Sequence, residues 1–488
     1  MPSRRVAVFG LAAGALAAGA AARAGAAAPT SAVPGKVPAV SGPVSGGAKG
    51  WAFGAFPGDI GALGYQEEEY FLEGSATRFR PVGVLADDGL WTVEPSGQEA
   101  FKTRIVVRRP RDPSRFNGTV LVEWTNVSSG YEITFGDQPD VYRNGFAHVA
   151  VSAQRVGVHG FPENPRGLVQ WDPVRYGALS VPGDSLSFDI YSQAARVLGA
   201  NRPRGGVDPL GGLNVRKLIA IGGSQSAARL NSYINAIQPR DKLFDALMPT
   251  VSAGAGVTFE DFIMNPAKRS ETERFRVKTR LRTLPVPVMV VNSESETLSF
   301  FPVRQPDGPR FRFWEIAGAS HAPTPSPLNW PEQQWMQQRA VRDGVPPLAR
   351  PVRGSDVQWR PTYDAAILHL HTWINGGPPP PMQPPIAVAG ASPAILRDAH
   401  GNARGGVRLP DVEVPIATYH GLGDGAAGLM GRTVPFSPEK LKALYPTHAD
   451  YVRKVSAAAD AAGKGGVIPP YRVQEYKEEA KAANVSGA

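Results

Sequence analysis

The 488-residue chain contains no cysteine. Disulfides, a cysteine nucleophile and thiolate metal ligands are therefore excluded. A dense basic stripe is also missing. Basic residues are scattered, apart from Arg108-Arg109-Pro110-Arg111. The net charge of +9, to which Arg4, Arg5 and Arg23 contribute, reads as a solvated surface and argues against nucleic acid as a partner. Beyond residue 22 no apolar run is long enough to cross a bilayer, so no stable membrane span is expected.

The N-terminus does carry an apolar run. Met1-Pro2-Ser3-Arg4-Arg5 precedes an Ala/Gly-rich stretch from Val6 to Ala22, and the small residues Ala24-Gly25-Ala26 follow. This is the pattern of an export signal over residues 1–26, and it predicts a periplasmic or secreted protein. The paired arginines suit the twin-arginine route, while the missing Phe-Leu pair of that motif leaves the ordinary route open. Residues 27–50, rich in Ala, Pro, Gly and Ser, read as a flexible leader.

The most informative stretch is Lys217-Leu218-Ile219-Ala220-Ile221-Gly222-Gly223-Ser224-Gln225-Ser226. A short apolar strand ends in two glycines and a serine. A helical pattern starts at once, with Leu230, Tyr233, Ile234 and Ile237 at the spacing of one buried face. A serine at the tip of a strand–turn–helix is a nucleophile elbow. The turn is tight and strained, small neighbours are needed, and the hydroxyl is pushed out above the sheet. The usual form is Gly-x-Ser-x-Gly, and Ser226 stands where the last glycine is expected.

A hydroxyl nucleophile needs a base, and the base needs an orienting carboxylate. In α/β-hydrolases these follow in the order serine, acid, histidine. The buried-strand pattern 286–291 leads into Asn292-Ser293-Glu294-Ser295-Glu296, and the aromatic strand pattern 311–316 leads into Ala317-Gly318-Ala319-Ser320-His321. Ser224, Glu296 and His321 are thus the candidate catalytic residues. Glu294 is the alternative acid, and Asp307 comes next if neither glutamate serves. An oxyanion hole would use the backbone amide of Gln225 and one from the loop after strand 119–124, placed at Asn126 with Thr125 and Val127 as alternatives. A His-Gly-Gly-Gly loop is absent.

The remaining histidines read as structural. His148 lies in an apolar run and reads as a core residue. His369 and His371 share a helical run, where residues two apart point away from each other, so no metal site is expected. His159, His400, His420 and His448 read as loop residues. Gly421-Leu422-Gly423-Asp424-Gly425 lacks the strand and helix of a nucleotide loop. No cofactor is called for.

Strand patterns at 103–109, 119–124, 146–152, 217–221 and 244–249 alternate with helical patterns at 186–199 and 225–237. The expected fold class is α/β, an α/β-hydrolase fold with a mostly parallel central sheet and helices on both faces. The core spans residues 51–377 with a lid-like insertion at about 250–284. After Pro378-Pro379-Pro380-Pro381, residues 378–488 form a C-terminal extension packed on the core, helical from about 437 to 461.

The chain resembles a bacterial "alpha/beta hydrolase domain" family of largely uncharacterised proteins. The stretches that carry the resemblance are Phe116 to Trp124, Gly223-Ser224-Gln225-Ser226, Arg304-Gln305-Pro306-Asp307, Trp314 to His321, Gly405 to Pro410 and Leu444-Tyr445-Pro446-Thr447. The resemblance implies a serine hydrolase with no defined substrate. The function expected is ester hydrolysis through an acyl-enzyme on Ser224, with a small-molecule ester as partner. Acyl transfer by the same residues and a catalytically silent binding protein are the alternatives, and the oligomeric state is open. Trp124, Tyr131 and Trp171 are candidates for an apolar pocket, although aromatics more often fill cores.

Overall fold

The computed structural model describes residues 36–203, 205–263, 268, 273–324, 338–346 and 353–485. The export signal 1–26, residues 27–35 of the expected leader, and residues 264–267 and 269–272 of the lid-like insertion lie outside the described residues.

Eleven strands are numbered in chain order: β1 (Ala39–Ser41), β2 (Tyr65–Pro81), β3 (Val93–Pro110), β4 (Thr119–Trp124), β5 (Ala147–Val151), β6 (Lys217–Gly223), β7 (Ala246–Thr250), β8 (Ala255–Val257), β9 (Arg276–Lys278), β10 (Val288–Ser293) and β11 (Phe311–Ile316). Nine of them form one sheet in the order β1-β2-β3-β5-β4-β6-β7-β10-β11. From β5 to β11 every pairing is parallel, whereas β1, β2, β3 and β5 pair antiparallel. β8 and β9 form a separate antiparallel ribbon inside the 250–284 insertion. Within the segment expected to be a leader, Ala39–Ser41 pairs with Phe71–Glu73.

The parallel strands are buried on both faces, which is why they read as continuous apolar runs. Alternate residues point to opposite sides. Val120, Val122, Trp124, Leu218, Ala220 and Val290 enter a core shared with the helix Ser187–Leu198 and with Tyr233. Leu121, Ile219, Ile221, Met289 and Val291 enter a second core, with the helix Arg360–Ile374 and the C-terminal helices His448–Lys464 and Pro470–Ala482. Helices therefore cover both faces, as expected of an α/β-hydrolase fold. The predicted helix 225–237 is α-helical over Gln225–Ser232 and turns into a π-helix at Tyr233–Ile237. The helical stretch expected at 437–461 is two helices, Pro438–Leu444 and His448–Lys464.

β2 carries no apolar alternation, since Glu67, Glu68 and Glu69 interrupt it. Arginines of β3 neutralise these charges. Arg108 bonds Glu67 at 2.7 Å, Arg109 bonds Glu68 at 2.8 Å and Arg104 bonds Glu69 at 2.7 Å.

Candidate active site

The elbow forms where β6 gives way to the helix Gln225–Ser232. Ser224 adopts φ +59°, ψ −114°, a backbone state that L residues avoid and that costs about 1–3 kcal/mol to hold. Three contacts hold it. The Ser224 N–H donates to Thr250 O of β7 at 2.9 Å. Ser226 Oγ accepts the Gly223 N–H at 3.0 Å and donates to Gly223 O at 2.9 Å. The serine that replaces the expected last glycine is therefore buried and clasps the turn. On the other side, a Cβ on Gly223 would lie 2.8 Å from Cγ of Phe135, so this position has no room for a side chain.

Phe135 is itself anchored. Its N–H donates to Glu123 Oε1, and the Gly136 N–H donates to Glu123 Oε2 at 3.0 Å. Glu123 and His148 are both fully buried, with Glu123 Oε2 to His148 Nε2 at 2.7 Å, and Arg108 Nη1 lies 3.3 Å from His148 Nδ1. An arginine donor on Nδ1 fixes His148 with its proton on Nε2, facing the carboxylate. His148 is a core histidine whose task is to hold Glu123.

The parallel strands deliver the other candidates to the same C-terminal edge of the sheet. Glu294 and Glu296 follow β10, and His321 follows β11. Glu296 Oε1 lies 2.7 Å from His321 Nδ1. Its other oxygen accepts the Ser293 N–H at 3.1 Å and the Ser293 hydroxyl at 2.6 Å, a reciprocal capping box that orients the carboxylate. Glu294 points elsewhere. It accepts from Gly318 N at 2.6 Å, Gly421 N at 3.2 Å and Arg397 Nη2 at 2.9 Å. Asp307 precedes β11 and accepts the Phe313 N–H at 2.9 Å, at the end of the strand away from His321. Among the described residues no hydrogen bond joins Ser224 to His321. Such catalytic contacts are commonly long before substrate binds.

The amides after β4 differ in their partners. The Thr125 N–H donates to Val151 O at 3.4 Å and the Asn126 N–H to Ile133 O at 2.9 Å. The Asn126 amide is thus held in a β-bridge, and its side-chain Nδ2 donates to Gly223 O at 3.0 Å. The Val127 N–H instead meets a side chain, Gln225 Oε1, at 3.2 Å. Gln154 braces that side chain, with Gln225 Nε2 donating to Gln154 Oε1 at 2.6 Å and Gln154 Nε2 to Gln225 Oε1 at 3.1 Å.

A family model described as alpha/beta hydrolase domain matches residues 40–478. The chain belongs to that family. No curated protein matches it. Among solved structures it is similar to esterase Est22 (10% identity, 64% of this chain and 81% of that chain, TM-score 0.30). It is likewise similar to a fungal esterase from Rhizomucor miehei (12%, 66% and 89%, TM-score 0.30) and to a lidless serine hydrolase from Xanthomonas campestris (11%, 50% and 83%, TM-score 0.26).

The other expected positions resolve as follows. Trp124 is fully buried against Phe188, Tyr191 and Tyr233 and is core. Tyr131 and Trp171 flank Phe53 at ring separations of 6.1 and 5.2 Å. His369 and His371 lie on the helix Arg360–Ile374 and bond different partners, Gly466 O and Thr119 Oγ1, both at 2.8 Å. His159 and His448 end and begin helices, and His420 closes a strand, so these three are not loop residues. That strand, Ala417–His420, precedes the glycine-rich 421–425 segment and pairs antiparallel with Arg432–Pro435, a ribbon rather than a nucleotide-binding βα turn. Among the described residues no cluster of His, Asp and Glu could hold a metal, and no helix is long and apolar enough to cross a membrane.

Proposed function

We propose that this hydrolase-family protein is an exported serine esterase that forms an acyl-enzyme on Ser224. The observation that carries the reading is the bond of 2.7 Å between Glu296 and His321 at the sheet edge that also bears the strained Ser224. With Nδ1 protonated and held by Glu296, His321 presents a basic Nε2. It takes the Ser224 proton as Oγ attacks the ester carbonyl, and Glu296 stabilises the imidazolium that forms. The carbonyl oxygen becomes an anion beside the N-terminus of the Gln225–Ser232 helix. The Gln225 amide is one donor to it. The Val127 amide is the second, because its partner is a side chain and can be exchanged for the oxyanion. Collapse breaks the C–O bond, and the imidazolium returns its proton to the leaving alcohol. Water, deprotonated by His321, then releases the acid by the same steps in reverse order.

A fluorophosphonate probe should label Ser224 in the wild type, and both labelling and turnover of a p-nitrophenyl ester should vanish in Ser224→Ala. The loss expected is on the order of 10⁴ to 10⁶ in rate. Retention of more than about a tenth of wild-type activity in the purified variant would refute the assignment. Export is tested by N-terminal sequencing of the protein from the producing cells, with cleavage expected after residue 26.

A further inference from the structure

Glu294 has no task in the mechanism above, yet it is only 1% exposed and stands two residues before Glu296. Its three donors come from two distant parts of the chain. Gly318 lies on the loop that carries His321, while Gly421 and Arg397 belong to the C-terminal segment. Ser295 makes the same link from the next position. Its Oγ accepts the His321 N–H at 2.8 Å and donates to Gly421 O. On the far side of His321, the Ala322 N–H donates to Leu429 O at 2.9 Å. Ser355 adds a third tie, from its hydroxyl to Gly318 O at 2.6 Å and from its N–H to Met430 O at 2.8 Å. The loop between the strands Ala417–His420 and Arg432–Pro435 is thus bonded to Glu294, to Ser295 between the two glutamates, and to Ala322 directly after His321.

We propose that Glu294, Ser295 and Arg397 are positioning residues, which use the 421–431 loop to fix the His321 main chain against the acid loop. The C-terminal segment is then a working part of the catalytic centre rather than an appendage. This inference rests on the esterase reading. Its physical basis is that the Glu296 bond orients only the imidazole ring. Where the ring sits relative to Ser224 depends on the backbone of residues 318–322, and that backbone is held mainly by Ser295, Glu294 and the 421–431 loop. A displacement of about 1 Å in a catalytic group costs on the order of a hundredfold in rate.

The test uses the full-length protein and the variants Ser295→Ala, Arg397→Ala and Arg397→Lys. Ser295→Ala and Arg397→Ala should lower kcat by about ten- to a hundredfold with KM within about twofold, and Arg397→Lys should recover most of the loss. A second readout needs no turnover. The His321 Nδ1–H proton, identified by its absence in His321→Ala, should give a sharp downfield NMR resonance in the wild type and exchange with water in Ser295→Ala and Arg397→Ala. Folded variants with wild-type kcat and an unchanged resonance would overturn the proposal. If Arg397→Ala does not fold, Ser295→Ala decides, since it removes a single hydroxyl. A wild type that cleaves no ester overturns the esterase reading, and the proton resonance still judges the positioning role by itself.

Discussion

Replacing Glu296 by glutamine keeps the shape of the acid and changes its charge and hydrogen-bond polarity. Glu296 accepts on both oxygens, from His321 Nδ1 at 2.7 Å and from the Ser293 amide and hydroxyl at 3.1 and 2.6 Å. An amide has one acceptor and one donor end. With its NH₂ toward His321, the imidazole must adopt the opposite tautomer, with its proton on Nε2, and cannot accept from Ser224. With its oxygen toward His321, the Ser293 amide faces a donor, and a buried N–H without an acceptor costs about 1–3 kcal/mol. The productive tautomer is disfavoured by that amount. The imidazolium formed in the transition state also loses a carboxylate at about 4 Å, worth roughly 4 kcal/mol at an effective dielectric constant of about 20. Together these raise the barrier by about 5–7 kcal/mol, which is roughly four to five powers of ten in kcat. Glu294→Gln, which leaves the His321 bond intact, should cost only about tenfold, near 1.4 kcal/mol. Steady-state kinetics on a p-nitrophenyl ester, read beside fluorophosphonate labelling rates, separates the two. If Glu296→Gln keeps kcat within about tenfold of wild type, the acid lies elsewhere. If Glu294→Gln is the inactive one, the roles are reversed.

Three further outcomes are expected. Gly223→Ala puts a Cβ 2.8 Å from Cγ of Phe135, whose backbone Glu123 anchors; it should cost about 1–3 kcal/mol in urea unfolding and most of the activity, and a variant of unchanged stability would contradict the packing argument. Glu123→Ala removes the acceptor of the Phe135 and Gly136 amides and the partner of the buried His148; a loss of about 3–5 kcal/mol is expected, and less than about 1 kcal/mol would show that the network is dispensable. His420 is pushed down to about 4, first by burial and then by Arg397 and Arg432. The unfolded chain takes up its proton near 6.5 and the folded chain only near 4, so its contribution to stability is present above pH 6.5 and lost as the pH falls toward 4. The slope of Tm against pH in that window should be shallower in His420→Asn, with His159 and His371, which burial also lowers, keeping part of it.

The sequence by itself determined the parallel half of the sheet, the elbow, and the order serine, carboxylate, histidine. These are local features. Strands buried on both faces must be continuous apolar runs, and a serine at φ +59° in a tight turn needs small neighbours, so both leave marks within a few residues. Tertiary structure decided the rest. The strand Tyr65–Pro81 was hidden because Glu67, Glu68 and Glu69 look solvated until Arg108, Arg109 and Arg104 lie across from them. The choice between Glu294 and Glu296 depends on which carboxylate reaches a histidine 25 residues away. Which amide after β4 faces a side chain was equally hidden, since a bridge to Ile133 takes that of Asn126 while that of Val127 meets Gln225. The link from the C-terminal segment to the His321 loop, through bonds between residues more than 100 positions apart, has no local signature at all. A polar group in a sequence shows what it can bond, and only the fold sets which partner is near enough to satisfy it.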